Sequence, residues 1–124
     1  EGICVINADG SSEIRITNGY DSHPDWSPDG QNIVFVSNRD DPEPEHCGET
    51  GKPVCNWELY VIEADGSNLV RLTNHQAMDM SPAWSPHSRQ IVFHSTRDGA
   101  DAIYIMNADG SGLTRLTEGY SPDW

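Results

Sequence analysis

The chain alternates between short apolar runs and turn-forming residues, and this pattern predicts strands. The runs at residues 33–36 and 91–93 are apolar at successive positions, which indicates strands covered on both faces. The run at residues 59–62 leads into Asp65-Gly66, a pair typical of a tight hairpin turn. No run approaches the roughly eighteen apolar residues that a membrane-spanning helix needs. The pattern therefore predicts an all-β chain of short strands with no membrane insertion.

One sequence unit occurs three times. Residues 3–11 (Ile-Cys-Val-Ile-Asn-Ala-Asp-Gly-Ser) recur in related form at residues 59–67 and 103–111. The Asp-Gly pairs of these copies lie 56 and 44 residues apart, and the longer interval holds an insertion at residues 41–57. A period of this length with four short strands is typical of β-propeller blades. The predicted fold is an all-β segment of a β-propeller over residues 1–124, with the insertion inside it.

Each predicted blade has four antiparallel strands, a to d. Strand a ends in Trp, b is the Ile-Val-Phe run, c is the repeated unit, and d carries Arg-Ile-Thr or Arg-Leu-Thr. An arginine in strand d suits an outer edge, since charge discourages pairing with another chain. The chain then holds strands c and d of one blade, two whole blades, and strand a of a fourth at Pro122-Asp123-Trp124, eleven strands in all. We expect further blades on both sides in a longer parent chain.

Two details of the repeat lead to separate expectations. Ser88 stands where the first a-b turn has Gly30, which predicts a strained turn or a different turn type. Tryptophans recur with the repeat and are expected between the blades, whereas Trp57 lies beside the insertion and is the one candidate for surface recognition, with core packing favoured. The recurring tryptophans are Trp26, Trp84 and Trp124.

Three motifs together resemble the TolB-like β-propeller repeat. They are the Pro-Asp-Trp-Ser-Pro-Asp-Gly element at residues 24–30, the Ser-x-Arg-Asp hairpin at 37–40 and the Tyr-x-Met-Asn-Ala-Asp-Gly-Ser run at 104–111. The resemblance covers almost the whole chain outside 41–57. It implies a ring of six blades. The family implied includes exported binding proteins as well as propeller domains of prolyl-oligopeptidase-type peptidases and polysaccharide lyases.

Two of the three cysteines, Cys47 and Cys55, flank a short stretch of the insertion, where a disulfide fits. Such a bridge points to the periplasm, the cell surface or the exterior, where oxidising conditions let it persist. His46 next to these cysteines gives three possible zinc ligands, but a close Cys-x-x-Cys pair and a fourth ligand are missing, so the disulfide is favoured. Cys4 is either a small core residue or a partner for something beyond the segment.

Acidic residues outnumber basic ones by 20 to 7, which gives a net charge of −13. This charge repels phosphate, so it disfavours nucleic acids and anionic membranes as partners. It attracts divalent cations and basic proteins. Because the acids are scattered through turns, solubility is the favoured interpretation of the charge.

The candidate binding residues lie in the connections from strand d to the next strand a. These connections open at one mouth of the propeller channel, where ligands from several blades can meet. Asp21 and Asp79 occupy matching places, three residues before a proline, where a carboxylate caps local backbone donors. We favour capping over binding of a divalent cation such as calcium and predict no metal or other cofactor. The candidates are Asp21, His23, His75 and Asp79.

No catalytic residue is predicted. A serine hydrolase of the α/β type needs a Gly-x-Ser-x-Gly elbow, which the chain lacks, and its Gly-Ser pairs recur in hairpin turns. The sequence therefore favours a non-enzymatic, exported propeller that serves as a rigid scaffold for protein binding or self-assembly in the periplasm or outside the cell. The alternative is the propeller domain of a polysaccharide lyase or peptidase whose catalytic parts lie outside this segment.

Overall fold

The computed structural model describes residues 2–47, 49–50 and 55–124, and these residues form an all-β structure with one short 3-10 turn at Pro44–His46. The strands of the first half, in chain order from β1 to β5, are Cys4–Val5, Ile14–Arg15, Asp21–Trp26, Asn32–Ser37 and Glu58–Glu63. Those of the second half, from β6 to β10, are Val70–Arg71, Asp79–Trp84, Gln90–Ser95, Ala102–Asn107 and Thr114–Glu118. Among the described residues no helix is long and apolar enough to cross a membrane.

Two four-stranded antiparallel sheets dominate the fold. Strands β3 to β6 form one sheet and strands β7 to β10 form the other, each with neighbours in chain order, and we call them blade one and blade two. Strands β1 and β2 form a separate pair in front of blade one. This arrangement confirms the predicted all-β propeller architecture, with β1 and β2 as strands c and d of a preceding blade.

The apolar core lies between these layers. One face of blade one, including Val34 and Leu59, packs against Trp84, Phe93 and other buried residues of blade two. The opposite face, including Phe35, packs against Ile3. Strand β4 is therefore covered on both faces, as its unbroken apolar run predicts, and each fully buried side chain of this size contributes about 1.5–3 kcal/mol.

The first strand of each blade carries a β-bulge. The pairing register shifts between Ser22 and Asp25 in β3 and between Met80 and Ala83 in β7. His23 and Ser81 sit inside these bulges with φ of 51° and 54°, a left-handed conformation that is uncommon for residues other than glycine. The repeat thus reproduces a local backbone irregularity as well as the strands.

The two a-b turns share a backbone conformation in spite of their different residues. Gly30 has φ of 72° and Ser88 has φ of 55°, so the serine adopts the left-handed conformation expected of glycine. Of the two predicted alternatives, the strained turn is the one found. The Ser88 hydroxyl accepts a hydrogen bond from the Asp29 backbone N–H at 3.2 Å, which links the two blades.

The predicted eleventh strand is wrong. Pro122-Asp123-Trp124 forms no strand, and the described residues contain ten. Strand a pairs with strand b in both blades, and no further Ile-Val-Phe run follows in this sequence to pair with residues 122–124. Instead, the Trp124 indole N–H donates to the backbone carbonyl of Ala83 at 3.0 Å.

Burial of the recurring tryptophans is also only partly as predicted. Trp84 is 7% exposed and lies in the core between the blades, whereas Trp26 is 45% exposed and Trp124 is 48% exposed. Trp84 packs against blade one. Only the two-stranded β1–β2 sheet lies in front of Trp26, whereas Trp84 faces the four-stranded sheet of blade one. Trp57 packs against the core, as favoured, and Cys4 is an exposed free thiol, which corrects its interpretation as a core residue.

Candidate functional site

Each blade contains a buried ion pair between its first strand and the end of its second. In blade one, Arg39 Nη2 lies 2.7 Å from Asp21 Oδ1, and the Asp21 side chain is fully buried. The guanidinium carbon lies 5.4 Å from the Phe35 ring centre and 4.9 Å from that of Tyr60. The arginine is therefore held by a carboxylate and by two aromatic faces, both of which favour its charge.

Blade two repeats this arrangement. Arg97 Nη2 lies 2.7 Å from Asp79 Oδ2, and its guanidinium carbon lies 5.4 Å from the Phe93 ring centre and 5.0 Å from that of Tyr104. Sequence analysis missed this pairing, although a signal was present, since each Asp precedes its Arg by 18 residues in both copies. We call each of these groups an arginine clamp.

The clamp of blade one shifts the pKa values of Asp21 and Tyr60. Burial alone raises the pKa of Asp21, but hydrogen bonds from Ser37, Thr17 and Arg39 outweigh burial and hold this pKa below its usual value. The Tyr60 hydroxyl donates to Asp40, and burial together with this acceptor raises the pKa of Tyr60 far above its usual value. Both groups therefore stay in one protonation state near neutral pH.

The four predicted binding residues lie in two kinds of environment. Asp21 and Asp79 are buried at the first positions of β3 and β7, and Asp21 Oδ2 also accepts a 3.3 Å hydrogen bond from the Gly19 N–H, as expected of local capping. His23 and His75 are exposed. No three of these side chains bring their ligand atoms within 4.8 Å in the described part of the chain. Their role as a binding site stays a prediction.

The two histidines make local contacts. His23 Nδ1 lies 3.0 Å from the Ser22 hydroxyl. His75 Nδ1 accepts a hydrogen bond from the Ala77 N–H at 3.0 Å, which leaves Nε2 to carry the hydrogen of the neutral ring. Asp79 differs from its counterpart Asp21, because its Oδ1 is buried and lacks a hydrogen-bond partner.

A further buried carboxylate, Glu58, lies next to the connection between the two blades. Glu58 is 1% exposed, and its Oε1 accepts from Arg71 Nη2 at 2.9 Å and from the His75 N–H at 2.6 Å. Its other oxygen accepts from the Thr73 hydroxyl, which itself accepts from the Leu59 N–H. This carboxylate therefore ties the connection between β6 and β7 to the beginning of β5.

The insertion lies at the end of blade one where β4 ends and β5 begins. Cys47 and Cys55 form the predicted disulfide, with Cα atoms 5.6 Å apart. Asp41, which is 8% exposed, accepts hydrogen bonds from the backbone N–H groups of Glu43 and Asn56, both at 2.8 Å. A disulfide and a buried carboxylate thus fasten both ends of the insertion.

A side chain from outside the insertion supports the disulfide. Asn38 is 1% exposed, and its Nδ2 donates to the Pro44 carbonyl at 3.2 Å and to Cys47 Sγ at 2.9 Å. His46, considered above as a zinc ligand, instead lies 3.1 Å from Glu49 and 3.8 Å from Glu45. Asp41 takes its place near the sulfurs, with a carboxylate oxygen and both Sγ atoms mutually within 4.8 Å.

Serines of the three c-d hairpins have a structural role. Ser11 Oγ donates to Asp9 Oδ1 at 2.6 Å, and Ser111 Oγ makes the same bond to Asp109 at 2.6 Å. These hydrogen bonds, with those from the serine backbone N–H, lower the pKa of both aspartates. The serines therefore stabilise the turns, as the repeat predicts.

Comparison with known sequences places the fold in a family. The two sheets and their repeat define the chain as consecutive blades of a β-propeller. Residues 50–122 match the family described as the TolB beta propeller domain, and the chain belongs to this family. It is 37% identical over 62 residues to the Tol-Pal system protein TolB of Syntrophotalea carbinolica, a match covering 50% of this chain and 14% of that protein. It is 32% identical over 95 residues to an uncharacterised protein of Agrobacterium fabrum, covering 75% of this chain and 28% of that protein.

Solved structures agree with this assignment. A putative TolB from Agrobacterium tumefaciens matches with a TM-score of 0.73 and 27% identity over 92% of this chain and 40% of its own length. TolB from Acinetobacter baumannii matches with a TM-score of 0.71 and 23% identity, over 94% of this chain and 26% of its own. An oligogalacturonate lyase in complex with manganese matches with a TM-score of 0.58 and 19% identity, over 93% of this chain and 28% of its own length. The last two likenesses show the fold alone, and the chain spans less than half the length of each of these proteins.

Proposed function

We propose that this chain is part of a non-enzymatic propeller that presents a rigid surface for protein binding or assembly, in the periplasm or outside the cell. The observation that carries the proposal is the insertion at residues 41–57. It is the one large departure from the repeat, it is closed by the Cys47–Cys55 disulfide, and it stands on a blade fixed by an arginine clamp. A fastened loop on a rigid scaffold is a common site of recognition, because little order has to be gained on binding.

Charge indicates the kind of partner. Glu43, Glu45 and Glu49 are exposed on the insertion, and the chain as a whole has a net charge of −13. Such a surface favours a basic protein partner and repels phosphate-rich ones, so nucleic acids and anionic membranes are not proposed. The role requires no cofactor.

The disulfide supports the location. Disulfides persist in oxidising compartments and are rare in the cytosol. The chain is similar to proteins named TolB, one of them described as part of a Tol-Pal system. Both points favour a periplasmic or extracellular site of action.

Site-specific crosslinking tests the proposal in the protein as the cell makes it. A photoactivatable residue replaces Glu45 on the insertion, and a matched variant carries it at Asp65, in the exposed c-d turn at the opposite end of β5. We expect one basic protein to crosslink at position 45 and not at position 65. The crosslink should disappear when residues 41–57 are replaced by the three-residue link found at 99–101 of blade two.

Two results would contradict the proposal. Equal crosslinking from both positions would show that the insertion is not the binding surface. Turnover of a peptide or uronate substrate by the segment, abolished by substitution of Asp21 or Asp79, would instead support the enzymatic alternative.

A further inference from the structure

We propose that Asp41, Cys47 and Cys55 form a thiol-dependent metal site, which binds one Zn²⁺ when the disulfide is reduced. The carboxylate oxygen and the two Sγ atoms already lie within 4.8 Å of one another. A tetrahedral zinc site with two thiolates and one carboxylate has ligand-to-ligand distances of about 3.6–3.8 Å, given Zn–S of roughly 2.3 Å and Zn–O of roughly 2.1 Å. In the oxidised structure the two sulfurs are bonded to each other, and the Asp41 oxygen already lies within 4.8 Å of both. Reduction lets the sulfurs separate to the spacing that zinc requires.

The ligands are held from outside the disulfide as well. Asp41 keeps its place through hydrogen bonds from the Glu43 and Asn56 backbone N–H groups, and neither depends on the S–S bond. Asn38 is almost fully buried and donates from Nδ2 to Cys47 Sγ at 2.9 Å. Hydrogen bonds of this kind from outside the ligand set orient metal ligands. Asn38 is therefore a positioning residue for the site.

The chemistry is balanced if a dithiol supplies the electrons. The dithiol gives two electrons and two protons to the S–S bond, so that it becomes a cyclic disulfide and Cys47 and Cys55 become thiols. Binding of Zn²⁺ then displaces the two thiol protons, and Asp41 supplies a carboxylate oxygen. Water completes the four ligands. Zn²⁺ then holds Cys47 and Cys55 together through coordinate bonds, where the disulfide held them through a covalent bond.

The site differs from the surface proposed above for a protein partner. It consists of largely buried atoms at the base of the insertion, whereas partner binding rests on the exposed acids. Failure of zinc binding would leave the crosslinking result untouched, and the reverse also holds.

Zinc titration of reduced and oxidised protein tests the inference. The probe is Zn²⁺ in competition with a coloured chelator, after removal of the dithiol without air. We expect one equivalent to bind to the reduced protein with release of two protons, and none to the oxidised protein at the same concentrations. Cd²⁺ in place of Zn²⁺ should give the ultraviolet absorption of cadmium thiolates, and Zn²⁺ should protect both cysteines from alkylation.

Matched variants identify the ligands. Asp41→Asn should weaken zinc binding by the reduced protein at least tenfold, because it removes an anionic ligand of similar size. Glu45→Gln removes an exposed acid of the same insertion and should change affinity less than twofold. The Cys47→Ser/Cys55→Ser double variant should lose the tight site. Circular dichroism confirms that each variant retains its β structure.

Three outcomes would overturn the proposal. One is a reduced protein that binds no more Zn²⁺ than the double cysteine variant. Another is equal affinity of Asp41→Asn and the unchanged protein. The third is equal binding by the oxidised form, which would place the zinc on other acids.

Discussion

Blade one and blade two share a framework but differ in the connection between their second and third strands. The framework includes the bulged first strand and the arginine clamp, whose Arg-to-Asp distance is 2.7 Å in both blades. In blade two, the corresponding part of the connection between β8 and β9 is only the three residues 99–101. In blade one, the insertion at 41–57 joins β4 to β5 and is closed by a disulfide.

The longer connection is accompanied by changes in the buried residues next to it. Glu58 begins β5 of blade one, whereas Ala102 begins β9 of blade two, and both are almost fully buried. Arg71 contacts Glu58 at 2.9 Å and Asp40 at 3.1 Å. Its counterpart in blade two, Arg115, lies 3.8 Å from the Asp98 carboxylate. Blade one therefore has a charge network around the buried Glu58 next to its insertion, and blade two has the apolar Ala102 in the place of Glu58.

This difference shows which parts of a repeat are free to vary. Core positions face a neighbouring sheet on both sides, so a change of volume is costly there. The b-c connection faces solvent and accepts a long insertion at small entropic cost. A new function can therefore be added to one blade at this connection without disturbing the shared framework.

The largest expected loss of stability comes from removing the arginine of either clamp, which both blades share. Arg39→Ala and Arg97→Ala each leave a buried carboxylate without its partner, and each should lower the free energy of unfolding by about 3–5 kcal/mol. Denaturant titration of both variants measures this loss. Arg15→Ala, at an exposed position of β2, is the control and should change stability little. A small loss in one blade only would show that the two clamps are not equivalent.

Loss of the disulfide should have the next largest effect, and only in blade one. Cys47→Ser/Cys55→Ser opens a loop with a sequence separation of 8 residues. The chain-entropy relation gives a destabilisation of about 2.5 kcal/mol for such a loop. Hydrogen exchange should show faster opening next to the insertion and unchanged rates in β8 and β9. Equal acceleration in both blades would show that the insertion is not a local element.

The acid dependence of the clamp follows from Asp21. Its pKa is lower in the folded chain than the usual value near roughly 3.9, so its contribution to stability is complete above that value and is lost as the pH falls through the folded pKa. Asp21→Asn should cost about 2 kcal/mol at pH 7, the scale of a hydrogen bond to a charged group. The difference between the variant and the unchanged protein, measured by urea unfolding, should shrink below about pH 4. A difference that stays constant to pH 2 would contradict this assignment.

The smallest expected effect concerns the two a-b turns. Gly30→Ser gives blade one the residue of blade two at a position with φ of 72°. A β-carbon at Gly30 would meet nothing within 4 Å, so the cost is that of the left-handed backbone alone, about 1 kcal/mol. Thermal unfolding measures this loss, with Gly30→Ala as the matched variant without a hydroxyl. A gain in stability would show that the serine finds a new partner, as Ser88 does with Asp29.

Much of the fold could be predicted because the repeat contains the information twice or more. The strands, the hairpin turns and the blade period follow from spacings within about forty residues. The Cys47–Cys55 disulfide could also be predicted, since both cysteines flank one short loop. Asp41 could not be placed beside the sulfurs, because the insertion has no second copy with which to compare it.

The sequence by itself determined the strands, the blades and the disulfide, because these depend on local spacing and on the periodic order of apolar residues. Only the tertiary structure decided the roles of equivalent residues. Arg71 and Arg115 occupy equivalent places, yet Arg71 lies 2.9 Å from Glu58 and Arg115 lies 3.8 Å from Asp98. Asp21 serves in an arginine clamp as well as in a local cap. Burial and pairing depend on which surfaces lie opposite, and those surfaces come from residues far away in the chain.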